Sequence, residues 1–155
     1  MNNPLRPNFF SAMSYSIRPA RVNEQWTIRW IVWRARINPF DVKWHRFLVV
    51  ELDGNIVSVG QVKPHRDASR ELASIAVIPS RQGQGIGSNL VRALVAREHD
   101  TLFLTCRAPL ETYYARFGFR RAPVQELPPY FRCIMLVQMF LPIKTIVMTR
   151  ATEQK

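Results

Sequence analysis

The chain has 155 residues, a formal net charge of +11, 47% hydrophobic and 21% charged residues. That is a single-domain length with enough apolar material for a core. It excludes a disordered polyelectrolyte, and no apolar run approaches the roughly 18 residues of a membrane helix. The two cysteines, Cys106 and Cys133, make no disulfide framework, so a reducing cytoplasm is the expected compartment.

Residues 1–13 are Asn- and Pro-rich, lack a signal peptide's apolar centre, and read as a loose arm before one domain spanning 14–150 and a tail, 151–155. Ser14 to Arg21 alternates polar and apolar residues as a strand does. Asn23 is a candidate N-cap for a helix to about Ile37, ended by Asn38-Pro39. Trp26, Trp30 and Trp33 share one face of that helix and are expected to pack on the sheet. Phe47–Leu52 and Ile56–Lys63 flank Asp53-Gly54-Asn55, a hairpin signal. A strand follows from Arg70 to Ile78. A helix runs from about Gln84 to His99, with Ile86, Leu90, Val91, Leu94 and Val95 on one side. Thr101–Arg107 reads as a strand, Leu110–Phe117 as a short helix stopped by Gly118, and Phe119–Ala122 as a strand. Tyr130–Phe140 is expected to be a helix with Pro129 in its first turn, and Lys144–Arg150 the last strand. Such alternation indicates an α/β domain.

The most informative stretch joins the strand ending near Ile78 to the next helix. Gly83, Gly85 and Gly87 stand at alternate positions before an amphipathic run. Backbone N–H groups without side chains therefore gather at a positively polarised helix start, a site for a phosphate-bearing ligand. A P-loop needs a lysine after its last glycine; here Ser88 follows Gly87. A dinucleotide fingerprint counted from Gly83 needs glycine at Ser88, and from Gly85 at Leu90. What fits is Gln/Arg-x-x-Gly-x-Gly/Ala, as Gln82-Gly83-Gln84-Gly85-Ile86-Gly87. This resembles the pyrophosphate loop of the GNAT N-acetyltransferase superfamily. The later Tyr-Ala-Arg-Phe-Gly-Phe run from Tyr114 to Phe119 resembles that family's Tyr-x-x-x-Gly-Phe segment. The order of elements is similar over nearly the whole chain.

The resemblance implies an α/β fold with a central mixed, twisted sheet of about six or seven strands, flanked by helices and splayed between the fourth and fifth. It implies acetyl-CoA as acyl donor, held by backbone groups of Ile75, Ala76 and Val77 and by the amides of Gln82, Gly83, Gln84, Gly85, Ile86, Gly87 and Ser88. The reaction it implies is acetyl transfer straight from the thioester to a primary amine. Freeing the lone pair of an alkyl ammonium costs about 4.6 kcal/mol at pH 7. Glu71, six residues before Val77, stands where some members keep a general-base glutamate. A backbone N–H near Val77 would meet the oxyanion, and Tyr114 is the candidate proton donor to the leaving thiolate. The other reading is a non-catalytic acyl-CoA-binding sensor of the same fold.

Three features depart from the pattern or stand outside it. Thr105-Cys106-Arg107 occupies a stretch where members often carry Asn. Cys106 lacks a paired base and reads as a core residue. His45, His65 and His99 show no metal-ligand spacing, so no metal is expected, and they read as surface or loop residues. The positive charge is scattered arginine that suits a polyphosphate ligand; with no recognition motif, nucleic acid is not expected as a partner. The acceptor pocket implied by the resemblance draws on the tryptophan helix, Phe40, Trp44 and Tyr130–Phe140. That last apolar segment either covers the pocket or pairs two copies as a homodimer.

Overall fold

The computed structural model describes residues 14–140, 142 and 144–151; the expected arm over 1–13 and most of the expected tail lie outside them. Seven strands form one sheet: β1 (Tyr15–Pro19), β2 (Phe47–Leu52), β3 (Asn55–Pro64), β4 (Arg70–Val77), β5 (Leu102–Arg107), β6 (Arg120–Arg121) and β7 (Thr145–Arg150). Their spatial order is β1-β2-β3-β4-β5-β7-β6. All neighbours are antiparallel except β4 and β5, which run parallel. The helices are α1 (Gln25–Arg34), α2 (Ile86–Ala96), α3 (Glu111–Ala115) and α4 (Pro129–Gln138).

The β2–β3 hairpin forms as its sequence requires. Leu52 pairs with Asn55, leaving Asp53 and Gly54 as a two-residue turn, with φ of 50° and 77°. Two positive φ values in succession match the twist of the flanking strands, and Asp-Gly tolerates them. Alternation then sends Leu48, Val50 and Val57 into a core beneath α2, and Val49 and Val59 into a second one beneath α1. A third cluster, Phe103, Ala122, Phe131 and Val147, seats α4 on the same side as α1.

The first helix differs from expectation at both ends. A 3-10 turn, Val22–Glu24, precedes it, and the Glu24 carboxylate, not Asn23, accepts the Arg21 N–H at 2.7 Å. It stops at Arg34 without waiting for Pro39. Arg36 takes φ 58°, Arg36 N–H donates to Trp33 O at 2.9 Å, and Ile37 N–H donates to Val32 O at 3.1 Å. These two bonds make a Schellman stop, and an arginine stands where glycine is the usual signal. The tryptophan face is also corrected. Ile28, Ile31 and Val32 are buried, while Trp26, Trp30 and Trp33 are 73%, 52% and 63% exposed. Their shared spacing favoured the indoles for the core, but the aliphatic stripe of Ile28, Ile31 and Val32 is the one that packs on the sheet. Arg29 and Arg34 instead stack over Trp26 and Trp30.

Packing beneath α2 is tight at Gly60 on β3. A Cβ there would stand 2.6 Å from Ile75 Cδ1 and 2.9 Å from Leu94 Cδ1. Gly60→Val should lower stability by about 1–3 kcal/mol through overpacking, with Gly60→Ala costing less because those methyls are side-chain ends. Urea midpoints would show it; a wild-type midpoint for Gly60→Val would mean the α2–sheet gap is looser than described.

Candidate active site

The sheet opens where the glycine run begins. β4 and β5 pair only at Arg70–Leu102 and Glu71–Phe103. Beyond that point β5 continues against β7, while β4 continues against β3 alone. The edge of β4 from Leu72 to Val77 is therefore left without a strand partner on its β5 side. A bulge helps turn it away: Gln61 faces Ala73 and Val59 faces Ala76, so β4 carries one extra residue, and Ser74 takes φ 56°. The Gln61 side chain, fully buried, donates from Nε2 to Ser74 Oγ at 3.0 Å, while its Oε1 has no partner. Sequence reading did not single out either residue; polar Gln61 inside an apolar strand was the available signal.

At the open end, Gln82 Nε2 donates to Val77 O at 3.0 Å and ties the loop to the strand. Gly83 and Gly85 have φ of 75° and 79°, and Gly85 is the N-cap of α2. Gly87 is different, with a tight neighbour and no positive φ. A Cβ there would lie 3.1 Å from Val77 Cγ2 and 3.6 Å from the Tyr113 hydroxyl. Ile86 is buried, whereas 82–85 are exposed, so the loop backbone is accessible above an anchored helix start. Ile75, Ala76 and Val77 thus lie on the open edge, and Gln82, Gly83, Gln84, Gly85, Ile86, Gly87 and Ser88 run along its mouth. A cleft bounded by a free strand edge and glycine amides fits an extended thiol carrying a pyrophosphate.

Tyr114 lies on α3 and packs against the α2-side core. Its ring meets those of Tyr113 and Phe119 edge-on, at 5.0 and 6.2 Å between centroids. Burial, with smaller contributions from Tyr113 and Cys106, pushes its phenol well above the ordinary value of 10.0. Tyr113 turns elsewhere: its hydroxyl is 3.4 Å from Ser88 Oγ, and Arg116 stacks on its ring. Cys106 is buried, 3.9 Å from Met148 Sδ, and burial pushes its thiol up to about 11. It is therefore a protonated core thiol at neutral pH.

Glu71 occupies the closed end of the opening on the opposite face, because Leu72 beside it points into the α2-side core. It is buried, and it is not paired with Arg70, whose guanidinium goes to Glu98. Its partner is His65, with Nε2 to Oε2 at 2.8 Å. This corrects the reading of His65 as a surface or loop histidine. It is on a loop, but only 9% of its side chain is exposed. The short turn 64–69 brings it there: Pro64 pairs with Arg70, and His65 N–H donates to Ser69 O at 2.9 Å. Tyr130 stacks on the imidazole at 3.6 Å. Asp67 takes the Tyr130 N–H at 2.9 Å at the start of α4.

Two cavities of about 630 Å³ lie near the two ends of β4. One lies between α1, with Trp30 and Arg34, and the segment from Val77 to Gln82. The other is lined by Asp41, Lys43, His65, Asp67 and Tyr130, with Glu71 behind His65. Gln25 holds its Asp41–Lys43 rim in place, bonding Val42 O and Trp44 N–H, each at 2.8 Å. Phe40 is 88% exposed and lines neither cavity. Among the described residues, no helix is long and apolar enough to cross a membrane.

The fold recurs in known proteins. Residues 43–121 match the family model described as acetyltransferase (GNAT) domain. The fold resembles N-acetylglutamate synthase from Neisseria gonorrhoeae, solved with coenzyme A and N-acetyl-glutamate, with a TM-score of 0.76 and 21% identity. The match covers 91% of this chain and 36% of that one, so the chain spans about a third of that protein's length. It also resembles the ribosomal-protein-S18-alanine N-acetyltransferase of Escherichia coli, with a TM-score of 0.67, 20% identity, and 92% and 96% of the two chains covered. With the family model over half its length, a mixed sheet parallel only at β4–β5, and glycine amides at the mouth of the splay, the chain belongs to the GNAT acetyltransferase family.

Proposed function

We propose that the chain is an acetyl-CoA-dependent N-acetyltransferase that moves the acetyl group directly to a primary amine. The observation that carries this reading is the opening between β4 and β5, with Tyr114 on one face and Glu71 on the other. A thioester lying in that gap would meet its acceptor from the Glu71 side and release its thiolate toward Tyr114. Coenzyme A bound to the Neisseria gonorrhoeae structure supports the choice of donor.

In this reading the free edge at Ile75, Ala76 and Val77 pairs with the amide groups of the donor's arm. The amides of the 82–88 loop take the pyrophosphate, with the start of α2 adding about 0.3–1 kcal/mol per nearby negative charge. The N–H near Val77 faces the carbonyl oxygen as it gains charge. Glu71, with His65, forms the basic side, where the amine's proton is drawn off. Tyr114 is protonated throughout the neutral range. A phenol held above 10 is a weaker acid than an ordinary thiol near 8.5, so its role is to donate a hydrogen bond to the departing sulfur while the proton is shared. The Glu71-side cavity receives the amine, and a +11 chain disfavours strongly basic protein tails as acceptors.

One domain over residues 14–150 suffices for this chemistry. The free, exposed Cys133 supports a reducing, cytoplasmic setting. A second copy is not needed, and among the described residues nothing covers the exposed Leu136, Val137, Met139 and Phe140 edge.

The test is thiol release from acetyl-CoA against a panel of amines: N-terminal peptides, lysine peptides, polyamines, aminoglycosides and amino acids. Amine-dependent release is expected. Tight acetyl-CoA binding with no turnover on any amine would favour the sensor; no binding would remove both readings.

A further inference from the structure

We propose that the atom that takes the amine's proton is Nδ1 of His65, with the Glu71 carboxylate fixing the ring's tautomer. This rests on the acetyl-transfer reading above and names the base within it. A carboxylate only accepts hydrogen bonds, so the 2.8 Å contact to Glu71 assigns the hydrogen to His65 Nε2. That leaves the Nδ1 lone pair free. Nδ1 has no hydrogen-bond partner among the described residues, and the imidazole lines the cavity assigned to the amine.

The ring is held as a base should be. Its side chain and that of Glu71 are 9% and 11% exposed. Tyr130 stacks on it at an interplanar angle of 20°, and Phe131 meets it edge-on at 5.7 Å. The loop beneath is closed by the His65–Ser69 backbone bond, and Asp67 binds that loop to α4. Glu71, by contrast, has one oxygen committed to the ring and lies behind it.

The charged groups around the ring nearly cancel. Asp67 and Arg66 lie on its own loop, Asp41 and Lys43 line the far wall, and Lys63 on β3 pairs with Asp41 at 3.2 Å. Tyr130 is the titratable group facing it from α4; burial raises its phenol, so it stays neutral. The Glu71 carboxylate is thus the charged group in direct contact with the ring. The balance is simple. The neutral amine, its ammonium proton already lost to solvent, bonds through nitrogen to the acetyl carbon; the carbon–sulfur bond breaks, the thiolate leaving with a hydrogen bond from Tyr114, and the proton shed by the acylated nitrogen passes to Nδ1 and leaves through the cavity. Once bonded to carbon, the nitrogen is far more acidic than a free ammonium, so a base of imidazole strength is sufficient.

Two measurements test this on the full chain. Long-range proton–nitrogen NMR at neutral pH should show His65 as the Nε2–H tautomer, and Glu71→Gln should disturb it; an Nδ1–H tautomer in the wild type overturns the proposal. The second is the pH profile of kcat/KM for thiol release, with acetyl-CoA and the most active amine of the panel. The wild type should lose activity on acidification as its general base takes up a proton. His65→Gln keeps a donor for Glu71, so a merely structural role would be rescued. It should nonetheless lower kcat by about 10²–10⁴-fold, abolish that acidic limb and leave KM for acetyl-CoA unchanged. If His65→Gln retains kcat within about threefold and keeps the limb, Glu71 itself is the base and the proposal is wrong. If the wild type turns over no amine, the parent reading fails and this one fails with it.

Discussion

Tyr114→Phe should lower kcat by roughly 10- to 150-fold while acetyl-CoA affinity stays within about twofold. The range follows from the loss of one hydrogen bond to a developing charge, about 1.5–3 kcal/mol. The ring remains, so packing on Phe119 and Tyr113 and the fold are preserved. Since burial raises the Tyr114 phenol, its neutral form is favoured and its ionisation should produce no alkaline loss of activity below about pH 10. Steady-state kinetics with equilibrium binding of acetyl-CoA would separate the two effects. Unchanged kcat would remove Tyr114 from the reaction, and attention would pass to Tyr113, whose hydroxyl faces Ser88.

Gly85→Val should weaken acetyl-CoA binding by about 5- to 30-fold, with kcat at saturating donor nearly intact. The space around Gly85 is open, so the cost is not a clash. It is backbone conformation: φ 79° costs an L-residue about 1–2 kcal/mol, more when β-branched, and the relaxed loop withdraws its amides from the mouth of the splay. Gly54→Val is the control. It has a comparable φ of 77° with open space around it, in the β2–β3 turn. It should cost stability and leave donor binding alone. Calorimetric titration with acetyl-CoA distinguishes them; equal affinities for the two variants would mean the loop does not hold the pyrophosphate.

Much of this architecture was legible because local chemistry dictated it. Asp53-Gly54 specifies its turn whatever surrounds it, and the glycine run followed by Ile86, Leu90, Val91, Leu94 and Val95 specifies both a loop and a buried helix face. Pro128-Pro129 opened α4 and Gly118 closed the α3 region, with φ 83°. Legibility failed where a residue acts against type. Arg36 ended α1 in a conformation glycine usually adopts, because Ile37 gains burial against the second core by that turn. The tryptophans looked like core and are solvent-facing, since periodicity marks a face but not which of two apolar faces meets the sheet.

The site divides in the same way. Gly83, Gly85 and Gly87 with Tyr114 and Glu71 could be marked from spacing and family likeness, because each is bound to a short local segment. The sequence by itself thus determined a glycine-rich loop with accessible amides at a strand-to-helix junction and an α/β domain around it. Only the tertiary structure decided that β4 and β5 separate after Glu71, that Gln61 and Ser74 bend β4 at that point, and that His65 is Glu71's partner. Those facts depend on which strands become neighbours and on what α4 presses against the 64–69 turn. No spacing along one chain encodes a contact that forms only when separate elements are packed.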